Sequence, residues 1–178
     1  MSSPFCLRGL PILAAIAVTL SCGGEPRQGA AGGEAKGAPP SVSGNAIEPC
    51  RLAAAEQVGK VLPNHDGGTV MHSGASLIKG VEAYQCSYVN PATDLLTVVV
   101  NVAADNDRFD AIKKSSSFHS DHRKVSIGDA AWVWGEDDDM KVQVEKGRAI
   151  LDLELMAKGA RDRTDALVEL ARVVAAKM

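Results

Sequence analysis

Aromatic side chains make up only 4% of this 178-residue chain, as three Phe, two Tyr and two Trp. That scarcity argues against a platform on which bases or sugars stack. An excess of positive charge is missing too. Lys plus Arg is 19 against 22 for Asp plus Glu, a net charge of -3. The chain therefore has no general electrostatic attraction to nucleic acid or to an anionic membrane surface, and no nucleic-acid partner is expected. No apolar run approaches the ~18 residues that a membrane-crossing helix needs. Spacings that carry chemistry are also absent. There is no Cys-x-x-Cys and no Gly-x-Ser-x-Gly, and Gly67-Gly68 lacks the Lys-Ser or Lys-Thr of a phosphate loop. No catalytic residue and no cofactor are expected.

What is present begins with an export signal. Residues 1–21 hold Arg8 beside the amino terminus and an apolar run from Leu10 to Leu20. That run is too short to span a bilayer and suits a secretory signal peptide. Val18-Thr19-Leu20-Ser21-Cys22 resembles the lipobox of bacterial lipoproteins. In that family the Cys is diacylated and becomes the new amino terminus. Ser21 holds the small position before Cys22, whereas Thr19 and Leu20 stand in the reverse of the usual order. The alternative is ordinary cleavage after Ala17, with Cys22 left as a thiol. The stretch from Gly23 to Gly44 has seven Gly, three Pro and four Ala, with Val42 its only large aliphatic residue. It cannot bury enough apolar surface to offset its ordering entropy. Residues 22–46 therefore read as a lipidated Cys and a flexible tether, with a reach of roughly 25 Å. The domain is expected from 47 to 178.

Of the four Cys, Cys6 leaves with the signal and Cys22 takes the acyl chains. Cys50 and Cys86 remain, and an exported protein lives in an oxidising compartment. A disulfide between them would close residues 50–86 and stabilise by ~3–4 kcal/mol. A redox or metal pair is the competing reading, and it lacks a chelating spacing.

In the remainder, 46% hydrophobic content over the chain suffices for a core. A helix is expected from Pro49 to Leu62, stopped by Pro63, with a turn-rich loop over 64–68. Strands are expected at Val81–Val89 and at Leu95–Val102, where Leu96, Val98, Val100 and Val102 alternate with Thr97, Val99 and Asn101. A short helix follows over Arg108–Ser115, with Asp105 or Asp107 as its cap. Short strands are expected at Val125–Ile127, Ala131–Trp134, Lys141–Glu145 and Ala149–Met156. The last turns Leu151, Leu153 and Leu155 inward and Asp152 and Glu154 outward. A closing helix spans Thr164–Lys177, with Leu167, Leu170, Ala171 and Val174 on one stripe. The fold class is α+β: an antiparallel sheet meander packed against two to three helices as a layered sandwich.

Several phrases resemble small actinobacterial-type Cys-anchored lipoproteins of unknown function. They are Glu48-Pro49-Cys50-Arg51-Leu52, Ala55-Glu56-Gln57-Val58-Gly59, Cys86-Ser87-Tyr88 and the run Val125-Ser126-Ile127-Gly128-Asp129-Ala130-Ala131-Trp132. The strand pair around Lys146-Gly147 and the Ala-rich last helix are similar as well. The resemblance implies a Cys50–Cys86 disulfide and an α/β sandwich of the PsbP-like kind. It implies no catalytic residues.

Three constellations remain. His119, Asp121 and His122 are of types that ligate zinc, yet no further Cys or His lies beside them, and an exposed polar loop is the plainer reading. His65 and His72 stand apart in sequence and would have to be recruited by folding. Glu136-Asp137-Asp138-Asp139 lacks calcium-loop spacing and reads as a solvated hairpin tip. Trp132 and Trp134 share one face of a strand. Core packing is the plainer reading for them, and a pocket or partner surface the functional one. Together these features lead us to expect a lipid-anchored envelope protein, held to a bacterial membrane outside the cytoplasm. It would bind an envelope protein or a small-molecule ligand. The alternatives are an exported enzyme with an unrecognised metal or hydrolytic site, and a purely structural envelope component.

Overall fold

A computed structural model describes residues 47–115 and 122–178. The fold grows from two runs of strands that turn tightly back on themselves. The first is β1 (Thr69–Ala75), β2 (Val81–Val89) and β3 (Leu95–Ala103). The second is β4 (Arg123–Lys124), β5 (Ala130–Glu136), β6 (Asp139–Lys146) and β7 (Ala149–Met156). Each run is an antiparallel meander. They join edge to edge where β3 pairs with β7, so the seven-stranded sheet has the order β1-β2-β3-β7-β6-β5-β4. Every pairing is antiparallel.

Among the described residues four helices accompany the sheet: α1 (Pro49–Leu52), α2 (Ala55–Val61), α3 (Asn106–Ser115) and α4 (Thr164–Lys177), the last preceded by a 3-10 turn over Ala160–Arg163. The α+β class stands, and the expected two to three helices become four. The reason is a break in the first one. Ala53 and Ala54 adopt extended backbone between α1 and α2, and Ala53 is buried there. No proline or glycine signals that break.

Alternation along the strands defines two faces. Leu96, Val98 and Val100 on β3, Leu151, Leu153 and Leu155 on β7, and Met140, Val142 and Val144 on β6 are buried on one side. The α4 stripe of Leu167, Leu170, Ala171 and Val174 packs into the same cluster, with Val58, Val61 and Leu62. Burying each such side chain stabilises by roughly 1.5–3 kcal/mol. The opposite face carries a smaller cluster of Val81, Ala103, Ile112 and Ile150, roofed by Phe109 of α3. Asp105 caps α3 by accepting the Arg108 N–H at 2.8 Å. Thr164 donates to the Arg161 carbonyl, and the α4 N-cap residue Arg163 makes no side-chain cap.

One strand expectation changes. The strand placed at Val125–Ile127 is a two-residue pairing at Arg123–Lys124, and Ile127 is buried in the loop that follows. β1 carries no expectation at all. Its side chains are mostly exposed, so it lacks an apolar period.

The cysteines meet as expected. Cys50 and Cys86 form a disulfide with Cα atoms 5.1 Å apart, tying α1 to β2. Beside it Tyr88 donates to the Cys50 carbonyl at 3.1 Å. Burial, and then the Asp66 carboxylate, push the Tyr88 hydroxyl above its usual pKa.

Candidate functional site

The face of the sheet away from α4 carries the unusual side chains. On β5, Ala131 and Val133 fill the core, so Trp132 and Trp134 point to the other side and are half-buried there. The expectation of core packing for the two indoles is therefore not met. Alternation along β5 gives the buried side to Ala131 and Val133, and the indoles between them take the other. His122, just before β4, stacks on Trp134 with ring centroids 4.3 Å apart and planes 9° from parallel. The other two members of that zinc candidate, His119 and Asp121, lie outside the described residues. Among the described residues no cluster of three metal-binding side chains occurs.

Register extends this face into a row. Lys124 pairs with Trp132, Trp132 with Gln143, and Gln143 with Asp152. One step along, Trp134 pairs with Lys141 and Lys141 with Glu154. Lys141 bridges Glu154 at 2.7 Å and Asp139 at 3.4 Å, and the hydrogen bond to Glu154 raises its pKa further. Gln143 is 3% exposed and donates to Asp152 Oδ1 at 2.5 Å. Glu145, 6% exposed, takes Lys113 of α3 on Oε2 at 2.9 Å. Among the described residues no donor reaches Gln143 Oε1 or Glu145 Oε1. Sequence reading placed Asp152 and Glu154 outward, opposite the leucines of β7. Alternation alone could not show that this outward side is itself partly covered.

Burial pushes the Asp152 carboxyl above its ordinary value of 3.8, against the opposing hydrogen bond from Gln143. A raised acid pKa means that the folded state prefers the proton. Stability from this group is complete below 3.8 and declines as pH rises through the folded-state value. Asp152→Asn removes that decline. Its amide can keep the contact to Gln143 Nε2 and can also turn a donor to Gln143 Oε1. We expect a gain on the order of 1 kcal/mol at pH 7, read as a higher urea midpoint, and little difference near pH 3.5. Parallel midpoint-against-pH curves for the two chains would refute it.

The indole row has an opening. The loop from β4 to β5 and the start of β5 frame a shallow cavity of about 600 Å³, lined among others by Lys124, Ser126, Asp129 and Trp132. Trp134 does not line it. An aromatic face, one cation and one carboxylate can hold a small molecule by stacking plus polar contacts, and nothing in the set forms a nucleophile–base pair.

The other expected sites are dispersed. His65 has its ring nitrogens against the Ala55 carbonyl and the Gly67 N–H, edge-on to Tyr88. His72 lies on β1 against the Ala75 carbonyl. The acidic stretch forms the β5–β6 turn, where Asp137 pairs with Arg161 at 3.0 Å and Asp138 accepts the Gly159 N–H at 2.8 Å. Cys22 lies outside the described residues. No family model, curated protein or solved structure matches the chain.

Proposed function

We propose that this chain is a lipoprotein of the bacterial envelope, held by a diacylated Cys22 and facing outside the cytoplasm, whose domain binds a small ligand without transforming it. The export signal, the lipobox-like run before Cys22 and the composition of residues 23–44 support the anchor. The Cys50–Cys86 disulfide is of a kind that persists in an oxidising compartment. The phrases shared with small Cys-anchored lipoproteins point the same way. One observation carries the binding role: Trp132, half-buried on the face of the sheet away from α4, lines an open cavity beside Lys124 and Asp129. A scarce, large side chain left half-buried on a polar face is suited to recognition.

The test uses protein recovered from its native membrane fraction. Under denaturing conditions its intact mass should begin at Cys22 and include acyl chains. Under native ionisation it should carry one further small mass, absent from Trp132→Ala. A chain that starts elsewhere or lacks acyl groups overturns the anchor. An acylated wild-type chain with no added mass overturns the small ligand and redirects the search to an envelope protein partner.

A further inference from the structure

Six large apolar side chains are exposed among the described residues, and two of them sit side by side at a turn tip. Leu77 is fully exposed and Ile78 is 38% exposed, between β1 and β2. The turn that displays them is closed by its own hydrogen bonds. Ser76 N–H donates to the Val81 carbonyl at 2.9 Å, and Val81 N–H to the Ile78 carbonyl at 3.0 Å. Register shows where this tip lies. Ala75 pairs with Glu82, Val81 with Ala103, Val102 with Ala149 and Lys146 with Ala149. The β1–β2 tip, the β3–α3 link and the β6–β7 turn therefore share one end of the sheet.

The chain enters the fold at that same end. Ile47 lines a cavity of about 530 Å³ with Val102, Lys146, Arg148 and Met178. Whatever holds residues 22–46 to a membrane thus pulls on the end that bears Leu77. Cations and carboxylates are nearly balanced at this end, and the acidic excess lies at the other. Lys79 is in the tip, Arg108 lies against Gly80, and the Arg148 guanidinium reaches the Ala104 carbonyl. Asp105 and Asp129 at this end each accept a backbone N–H, Glu82 beside the tip accepts the Tyr84 hydroxyl, and Asp107 is exposed in the first turn of α3. At the opposite end stand Glu136, Asp137, Asp138 and Asp139, with Asp162 beside Arg161.

We infer that this end of the sheet rests on an anionic lipid bilayer, with Leu77 and Ile78 in the headgroup region and Lys79, Arg108 and Arg148 over the lipid phosphates. The inference rests on the anchored reading proposed above. Two aliphatic side chains and three cations bind a bilayer weakly on their own. Anchoring through residues 22–46 makes the contact intramolecular and raises the effective lipid concentration at the tip. The acidic end then points away from the like-charged surface. The cavity beside Trp132 opens near the β4–β5 loop, at the bilayer side of the domain.

The test places an environment-sensitive fluorophore on Leu77→Cys and, separately, on Asp137→Cys in the mature lipidated chain. Each is reconstituted in vesicles of phosphatidylethanolamine and phosphatidylglycerol. The label at 77 should shift to the blue and be quenched several-fold more by nitroxide-bearing lipid than the label at 137. Water-like emission from both labels on vesicle-bound protein overturns the docking and leaves the anchor intact. A blue shift at 77 that grows with protein concentration without lipid assigns the tip to a second copy and also overturns it. If the native chain proves unacylated, the anchored reading fails on its own. The same two labels, on a chain held to nickel-chelating lipid by an N-terminal histidine tag, then decide the docking separately.

Discussion

Replacing Cys50 and Cys86 together by Ala should lower the stability of the domain by about 3–4 kcal/mol. The two residues are 36 apart in sequence, and the bridge removes the corresponding loop-closure entropy from the unfolded chain. The native state has a stake in it as well. α1 has four residues and α2 has seven, far below the length at which a helix holds by itself. Both persist because the bridge pins α1 to β2 and because Val58, Val61 and Leu62 are fully buried. Arg163 and Lys177 add ties, donating to the Val61 and Leu52 carbonyls. The loss should therefore be read twice. The urea midpoint should fall with little change in slope. Amide exchange should quicken first between residues 49 and 62, ahead of the β3–β7 centre. Reductant should give the wild-type chain the same pattern. A double variant within 1 kcal/mol of wild type would mean that apolar packing alone holds these helices.

Gly128→Ala should be nearly as damaging, at about 2–4 kcal/mol and a Tm lowered by roughly 10 °C. Gly128 has φ of +59°, and a Cβ there would strike the Glu145 carbonyl oxygen and lie 2.8 Å from Val144 Cγ1. The first atom is backbone of β6 and the second belongs to a fully buried valine, so neither can yield cheaply. The loop is held to that place from both sides. Asp129 N–H donates to the Glu145 carbonyl at 2.8 Å, and Gly147 N–H donates to Asp129 Oδ2 at 2.6 Å. Gly67→Ala is the matching control. Its φ is +93° with nothing within 4 Å of the added carbon, so only the backbone penalty of about 1 kcal/mol remains. Equal losses at the two positions would show that contact with β6 contributes nothing. The glycine in the phrase Val125-Ser126-Ile127-Gly128-Asp129 is thus explained by close approach to β6, whatever family the phrase belongs to.

Much of the fold was legible in the residues. β7 and α4 begin and end where their patterns said, at Ala149–Met156 and Thr164–Lys177. Leu151, Leu153 and Leu155 repeat every two residues. Leu167, Leu170, Ala171 and Val174 follow the helical stripe, and each pattern needs only one buried face to be satisfied. The pairing of Cys50 with Cys86 was legible because reading residues 1–22 as an export signal and a lipidated Cys leaves two thiols and one way to join them. The break at Ala53–Ala54 was not, because both residues favour helix and only the pull of bridge and core separates α1 from α2. β1 was not legible either. Its exposed Val70, Met71 and His72 form a strand because β2 offers an unpaired edge, which is a property of the partner.

The same division runs through the candidate site. Residue spacing determined that Trp132 and Trp134 share a face and that Ala131 and Val133 share the other. It determined that Asp152 and Glu154 oppose the leucines of β7. Which of the two faces would meet α4 was decided by tertiary structure. Once β3 paired with β7, the leucines and valines of the central strands had to cover the α4 stripe. The pleat then carried every intervening residue, indoles included, to the opposite side. That side gathers His122, Trp134, Gln143 and Asp152 from separate strands and a connecting loop. Period-two patterns report a residue's face within its own strand and nothing about its neighbours across the sheet. Only register supplies those neighbours.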